Sequence, residues 1–310
     1  MNSKNALVVT TIHEPGDFLD QILAVCADDF DVIVVGDTIT PSSWEDAPVH
    51  FLSIDRQRQL FGEFASVAPL RHYSRKNFGY LYAQKLGAPI VLETDDDTFP
   101  YPKFGRDLVA DVEGRLANGG DWENVYSWFT DQHVWPRGLP LSHVTQRKRV
   151  SSTITRRRCL VQQFLIDGDT DVDAIYRLTS PQGDVLFNAD ELPVILANDT
   201  VCPFNSQNTA FHAAAFPLLY LPHHCSFRMT DIWRSFVVQV ALATAGEAIA
   251  FRGPTSHQVR NAHDLMRDFE QEVSGYLHNA SIMTHLKQVA RTLSDVSSCA
   301  DGPHVVAQPS

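Results

Sequence analysis

The 310-residue chain has only five cysteines, at positions 26, 159, 202, 225 and 299, and no C-x-x-C pair. An odd, scattered set predicts neither a disulfide framework nor a zinc knuckle, and it fits a reducing, cytoplasmic setting. No apolar run approaches the ~18 residues of a membrane-spanning helix. The N-terminal apolar run meets His13 and Glu14 without a small-residue cleavage site, so it reads as a first strand and not as a leader. Glycine-rich phosphate loops are missing too: neither G-x-G-x-x-G nor G-x-x-x-x-G-K-[ST] occurs, which excludes a dinucleotide fold and a P-loop. Positive charge is in short supply, with 25 Lys and Arg against 37 Asp and Glu, a formal net charge of −12. Such a surface repels polyanions, so no nucleic-acid partner is expected.

What is present is a substantial apolar fraction, 44%, enough for a large core. The first third alternates apolar runs with helical patterns. Ala6–Ile12, Asp31–Asp37, Val49–Ile54 and Ala88–Glu93 read as buried strands. Phe18, Leu19, Ile22 and Val25, then Phe78, Leu81, Tyr82 and Leu86, recur at helical spacing. Alternation of this kind predicts βαβ units and a mostly parallel central sheet flanked by helices. Ligands of open α/β sheets sit beyond the carboxyl ends of the strands. Three of these strands end in polar residues, at Thr10-Thr11, at Asp37 and at Asp95-Asp96-Asp97, so all three are expected on one rim. The middle of the chain reads as less regular. Helical patterns return at 232–245, 263–272 and 276–293, and the residues after about 297 read as a loose tail.

Asp95-Asp96-Asp97 carries the strongest chemistry. In an extended chain residues i and i+2 point the same way, so Asp95 and Asp97 are expected to face one site. Two neighbouring carboxylates repel unless they share a cation, and Mg²⁺ or Mn²⁺ would take their oxygens while leaving positions for phosphate. A phosphatase-type D-x-D-x-[T/V] is excluded because Phe99 stands where Thr or Val is required. The alternating acids Asp167, Asp169, Asp171 and Asp173 imitate a calcium loop, but Val172 and Leu178 occupy the positions that need Gly and Glu. Arg75 and Lys76 open a helix. Cations there oppose the helix dipole, so the pair reads either as a cradle for a bound diphosphate or as an ordinary basic first turn. Asp231 reads either as the N-cap of a helix from Ile232 or as a base for an acceptor hydroxyl. Asn205, Gln207 and Asn208 suit sugar hydroxyls or a polar turn. Trp135 and Trp233 suit a sugar face or the core. Arg228, Arg234 and His263 complete the candidate substrate-binding residues.

Eight segments, VVGDTITP, RKNFGYLYA, LETDDDTF, WPRGLPL, DVDAIYRL, PFNSQNTAF, FRMTDIWRS and RNAHD, run in that order through about residues 5–290. Together they resemble the STELLO-type glycosyltransferases and, more distantly, the plant reversibly glycosylated polypeptides, which are UDP-arabinopyranose mutases. The resemblance implies a GT-A-like nucleotide-diphospho-sugar transferase fold in one domain over 1–296, with a nucleotide-binding half to about residue 120 and an acceptor half beyond it. It implies a divalent metal at Asp95 and Asp97 and a nucleotide-sugar donor, UDP-linked by preference. Thr10, Thr11, Asp37, Arg75, Lys76 and Asp96 are then the nucleotide-binding candidates, Arg137 joins the substrate-binding set, and Asp231 takes the place of the acceptor base. The acceptor would be a glycan, a lipid-linked species or a protein, with peripheral membrane contact through the basic cluster at 147–158 as one option. Two other readings stand beside transfer: a mutase on the same fold and a non-catalytic nucleotide-sugar-binding protein. The mutase relatives carry an arginine beyond a similar Arg-Gly-x-Pro stretch, where this chain has Val144, with Arg147 three residues on.

Overall fold

The computed structural model describes residues 3–145, 151–180, 183–261 and 264–300. It is an α/β fold around one ten-stranded sheet. Strands β1 (Asn5–Thr10), β2 (Phe30–Val35), β3 (His50–Leu52) and β4 (Ile90–Asp95) form a parallel block in the order β3-β2-β1-β4. Helices α1 (Asp17–Cys26), α2 (Ile54–Val67) and α3 (Lys76–Leu86) lie in the connections. These strands are continuous apolar runs because both faces of the block are covered, as a parallel sheet requires. One face buries Val8, Ile33, Val35 and Phe78, and the other buries Leu7, Val9, Ile22 and Val34.

Beyond β4 the sheet becomes mixed. It contains β5 (Thr98–Pro100), β6 (Asp111–Ala117), β7 (Ile154–Gly168), β8 (Val194–Leu196), β9 (Thr209–His212) and β10 (Ala248–Gln258). Strand β9 is antiparallel to both β4 and β7 and so joins the two halves. The long β7 pairs with β6 through its first residues and with β10, in parallel, through the rest. Helix α4 (Ala174–Thr179) follows β7, and α5 (Thr230–Thr244) and α6 (Leu265–Ala300) pack on each other.

Two departures from the sequence reading concern helices. Helix α2 has no counterpart among the expected elements: its pattern is mostly polar and Gly62 breaks it with φ 42°. The expected pair at 263–272 and 276–293 is one helix, and it runs past the boundary drawn at 296 to Ala300. Gly275 looks like the break between them, yet a Cβ there would lie 2.3 Å from Met229 Sδ, so the glycine serves close packing. Gly79 does the same on α3, where a Cβ would meet Val8 Cγ1 at 2.3 Å. That contact seats the start of α3 beside the ends of β1 and β4.

Candidate active site

The three polar strand ends converge, as the topology predicts, on one cavity of about 620 Å³. Thr10, Thr11, Asp37, Arg75, Asp95, Asp96, Asp97, Arg137, Gln207, Arg228 and Asp231 all line it. Sequence order scatters these residues over more than 200 positions, and the sheet brings them together. A second cavity, about 570 Å³, lies between β8, α5 and α6 and contains none of the expected residues.

The acidic triplet does not alternate as expected. Asp95 ends β4, and Asp96 and Asp97 form the turn into β5, so the extended-chain rule stops at Asp95. Asp96 turns toward β1, where its Oδ2 accepts from Thr11 Oγ1 at 2.6 Å and lies 2.8 Å from His13 Nδ1. Asp95 Oδ1 accepts from Lys76 Nζ and from the Tyr73 hydroxyl, both at 2.7 Å. Asp97 Oδ2 accepts from Gln258 Nε2 at 3.0 Å, while its Oδ1 is buried and has no partner among the described residues. Burial, then the charge of Asp95, pushes the Asp97 carboxyl up to about 6. Burial also raises Asp95, against the pull of Lys76.

Among the described residues no cluster of three or more His, Cys, Asp or Glu side chains forms a metal cage. The donor set still suits one hard cation that keeps most of its positions for phosphate and water. A buried carboxylate oxygen without a partner is costly unless a cation or donor reaches it. Asp97 Oδ1 is that atom, and Asp95 stands beside it in the cavity wall.

The two cations opening α3 part ways. Lys76 is fully buried, does not line the cavity, and spends its charge on Asp95, with a further bond to the Ser206 carbonyl at 3.1 Å. Arg75 lines the cavity, but its guanidinium donates to the Pro69 carbonyl at 3.1 Å and to Gln57. Lys76 thus finds its counter-charge inside the fold, in Asp95, whereas Arg75 stays in the cavity wall with its Nε unpartnered among the described residues. Asp37 is placed as expected at the end of β2, with Oδ2 accepting from His72 N at 3.3 Å.

Asp231 sits in the first turn of α5, which begins at Thr230, so it is not the N-cap. Its Oδ1 accepts from Arg137 Nη1 at 3.1 Å and from Ile232 N at 2.9 Å. Its Oδ2 faces Arg137 Nη2 at 3.0 Å, Ser206 N at 3.2 Å and Ser206 Oγ at 3.3 Å. A carboxylate offers about four lone-pair sites. Those sites are taken, and Asp231 holds Arg137. Arg137 is in turn gripped by Asp171 through Nε at 2.9 Å, and burial of Asp171 is outweighed by Arg137, which holds that carboxyl below its usual range.

Other candidates divide. Asn205 is buried and bonds Asp171 Oδ2 at 3.0 Å, while Gln207 reaches the cavity with Oε1 unpartnered. Asn208 points away, to Thr255 and Ser256 at 2.9 and 3.0 Å. Trp233 donates to Asn279 at 2.9 Å in the α5–α6 seam, and Trp135 is core, donating to Asp173 at 2.7 Å. Arg234 forms a buried ion pair with Glu93 at 2.5 Å and does not contact the cavity. His263 and Arg147 lie outside the described residues. Tyr73, Asp171, Gln258 and Arg260 also line the cavity and were not singled out as site residues. Asp171 was visible within the alternating acids. Gln258 ends, and Arg260 follows, a strand the sequence reading did not include.

A family model described as STELLO glycosyltransferases matches residues 228–301, the stretch holding Arg228, Asp231, Gln258 and Arg260. Two Arabidopsis thaliana proteins, described as probable glycosyltransferases STELLO2 and STELLO1, are each 27% identical over 271 residues, covering 81% of this chain and 35% of their own lengths. The chain thus spans about a third of these curated relatives. Among solved structures, Mycobacterium tuberculosis glucosyl-3-phosphoglycerate synthase with Mn²⁺, UDP and glucosyl-3-phosphoglycerate aligns with a TM-score of 0.47 at 12% identity, covering 90% of this chain and 81% of that one. S. aureus TarS 1–349 with UDP-GlcNAc aligns with a TM-score of 0.41 at 14% identity, covering 85% of this chain and 60% of that one. The similarity to STELLO proteins expected from the eight segments is therefore found.

Proposed function

We propose that this chain is a glycosyltransferase of GT-A type that moves a sugar from a nucleotide diphosphate, UDP by preference, to an acceptor hydroxyl. One observation carries the reading: the polar ends of β1, β2 and β4, the turn Asp96–Asp97 and the start of α5 line a single cavity that contains a buried carboxylate oxygen unpartnered among the described residues. The similarity to STELLO glycosyltransferases supports it.

A divalent ion at Asp97, with Asp95 beside it, would neutralise the charge that builds on a departing diphosphate. The chain's own residues divide the remaining work by position. Asp37 and Thr10–Thr11 lie at the ends of β2 and β1 and would meet the nucleoside. Asp96, fixed by Thr11 and His13, stiffens the wall between nucleoside and diphosphate. Lys76 and Tyr73 fix Asp95 from behind, so that its second oxygen keeps one orientation. Asp231 and Asp171 hold the Arg137 guanidinium against the cavity from two sides.

The test is product analysis after incubation with labelled UDP-sugars, Mn²⁺ and a panel of hydroxyl acceptors. Transfer predicts free UDP and labelled acceptor in equal amounts. Recovery of an isomerised donor without free UDP would contradict it.

A further inference from the structure

The roles proposed for the donor leave two arginines of the cavity, Arg228 and Arg260, without a task. The sheet order shows on which side they stand. Asp37 follows β2, Thr10 ends β1, Asp95 ends β4, Asp171 follows β7, and Gln258 ends β10, so the lining runs β2-β1-β4 and then β7 and β10. Arg228, just before α5 and Asp231, and Arg260, just past β10 whose Gln258 bonds Asp97, belong to the β7–β10 side of this lining.

Their counter-charges stand behind them. Arg228 bonds Glu272 of α6 at 2.9 Å through Nε, and Arg260 leans on Asp268 of α6 at a loose 3.5 Å. Neither Glu272 nor Asp268 lines the cavity. The two acids that do line this side, Asp171 and Asp231, are both engaged by Arg137. The Arg260 side chain is only 7% exposed, and its Nε has no hydrogen-bond partner among the described residues. A buried guanidinium nitrogen left without an acceptor is costly and invites an anion. Burial, together with Arg228 and Arg177, pushes Arg260 down to about 10, the mark of crowded like charge.

We propose that Arg260 and Arg228 form a subsite for an anionic group, phosphate or carboxylate, carried by the acceptor. The inference rests on the transferase reading and deepens it: the acceptor is a hydroxyl compound that also bears a negative group within reach of this side of the cavity. Arginine suits the task because its planar fork matches both anions.

Calorimetric titration with UDP, Mn²⁺ and inorganic phosphate tests it. Wild-type protein saturated with UDP and Mn²⁺ is expected to bind phosphate as a further ligand. Arg260→Gln should weaken phosphate about tenfold, as loss of a charge-assisted bond does, while UDP affinity shifts by less than about twofold. Arg260→Lys, which keeps the charge, should retain most of the phosphate binding, and an unchanged melting curve shows that each variant is folded. Acetate titrated in place of phosphate separates a carboxylate-bearing acceptor from a phosphorylated one, since the matching anion binds more tightly. No binding of either anion to the UDP complex would overturn the subsite. Displacement of UDP by phosphate, or equal losses of UDP and phosphate affinity in Arg260→Gln, would assign the arginines to the donor diphosphate instead. Failure of wild-type protein to bind UDP at all would bring down the transferase reading itself.

Discussion

Asp97 shows how a single side chain sets stability against ligand binding. In the unfolded chain it titrates as an ordinary aspartate near 4; in the fold, burial and Asp95 move it to about 6. Between these values the native state holds the extra proton, so this group's contribution to stability falls as pH rises from about 4 to about 6. Asp97→Asn removes the buried charge. It should stabilise metal-free protein at pH 7 by about 2 kcal/mol and flatten that part of the pH profile, measured by denaturant unfolding at several pH values. The same variant should lose any stabilisation by Mn²⁺. Asp231 predicts the reverse pattern. Asp231→Asn puts an amide where Arg137 needs a carboxylate and leaves a buried guanidinium under-compensated, which costs about 3 kcal/mol. Unfolding curves that match the wild type, with transfer abolished, would instead restore Asp231 as a base.

At the scale of elements, α3 decides the geometry of the site. Its first residues carry Lys76 to Asp95, and the preceding turn carries Tyr73. Both depend on the close seat of Gly79 on Val8. Gly79→Ala should therefore cost about 1–3 kcal/mol by overpacking and weaken nucleotide binding by moving α3 off β1; chemical denaturation and calorimetry check the two effects. Legibility in the sequence follows the same physics. The strands β1, β2 and β4 are readable because covering both faces makes them unbroken apolar runs. Strand β7 is not, because its first five residues include Thr155 and Arg156–Arg158, which pair with β6 at the surface. Strand β10 hides behind Gly253-Pro254 and a register shift between Arg252 and Ser256. Strand ends told where the cavity lies. They did not tell which cation belongs to which carboxylate, since Lys76 reaches Asp95 across 19 positions and Arg137 reaches Asp231 across 94.

For the whole molecule, the net charge of −12 describes the surface better than the site. The cavity carries acid on Asp95–Asp97 and arginine around it, on Arg71, Arg75, Arg137, Arg228 and Arg260. Such a division of charge fits a cation-bridged dianion far better than a polyanion. Among the described residues no helix is long and apolar enough to cross a membrane, and the four cysteines whose side chains are described are free. On the proposed reading this cavity binds a nucleoside diphosphate through a divalent ion at Asp97. Calorimetric titration of UDP into the wild-type protein, once with Mn²⁺ and once with EDTA, tests it most directly. Saturable binding with Mn²⁺ that is lost in EDTA is the predicted result. Equal affinity in both conditions, or no binding in either, would contradict the account.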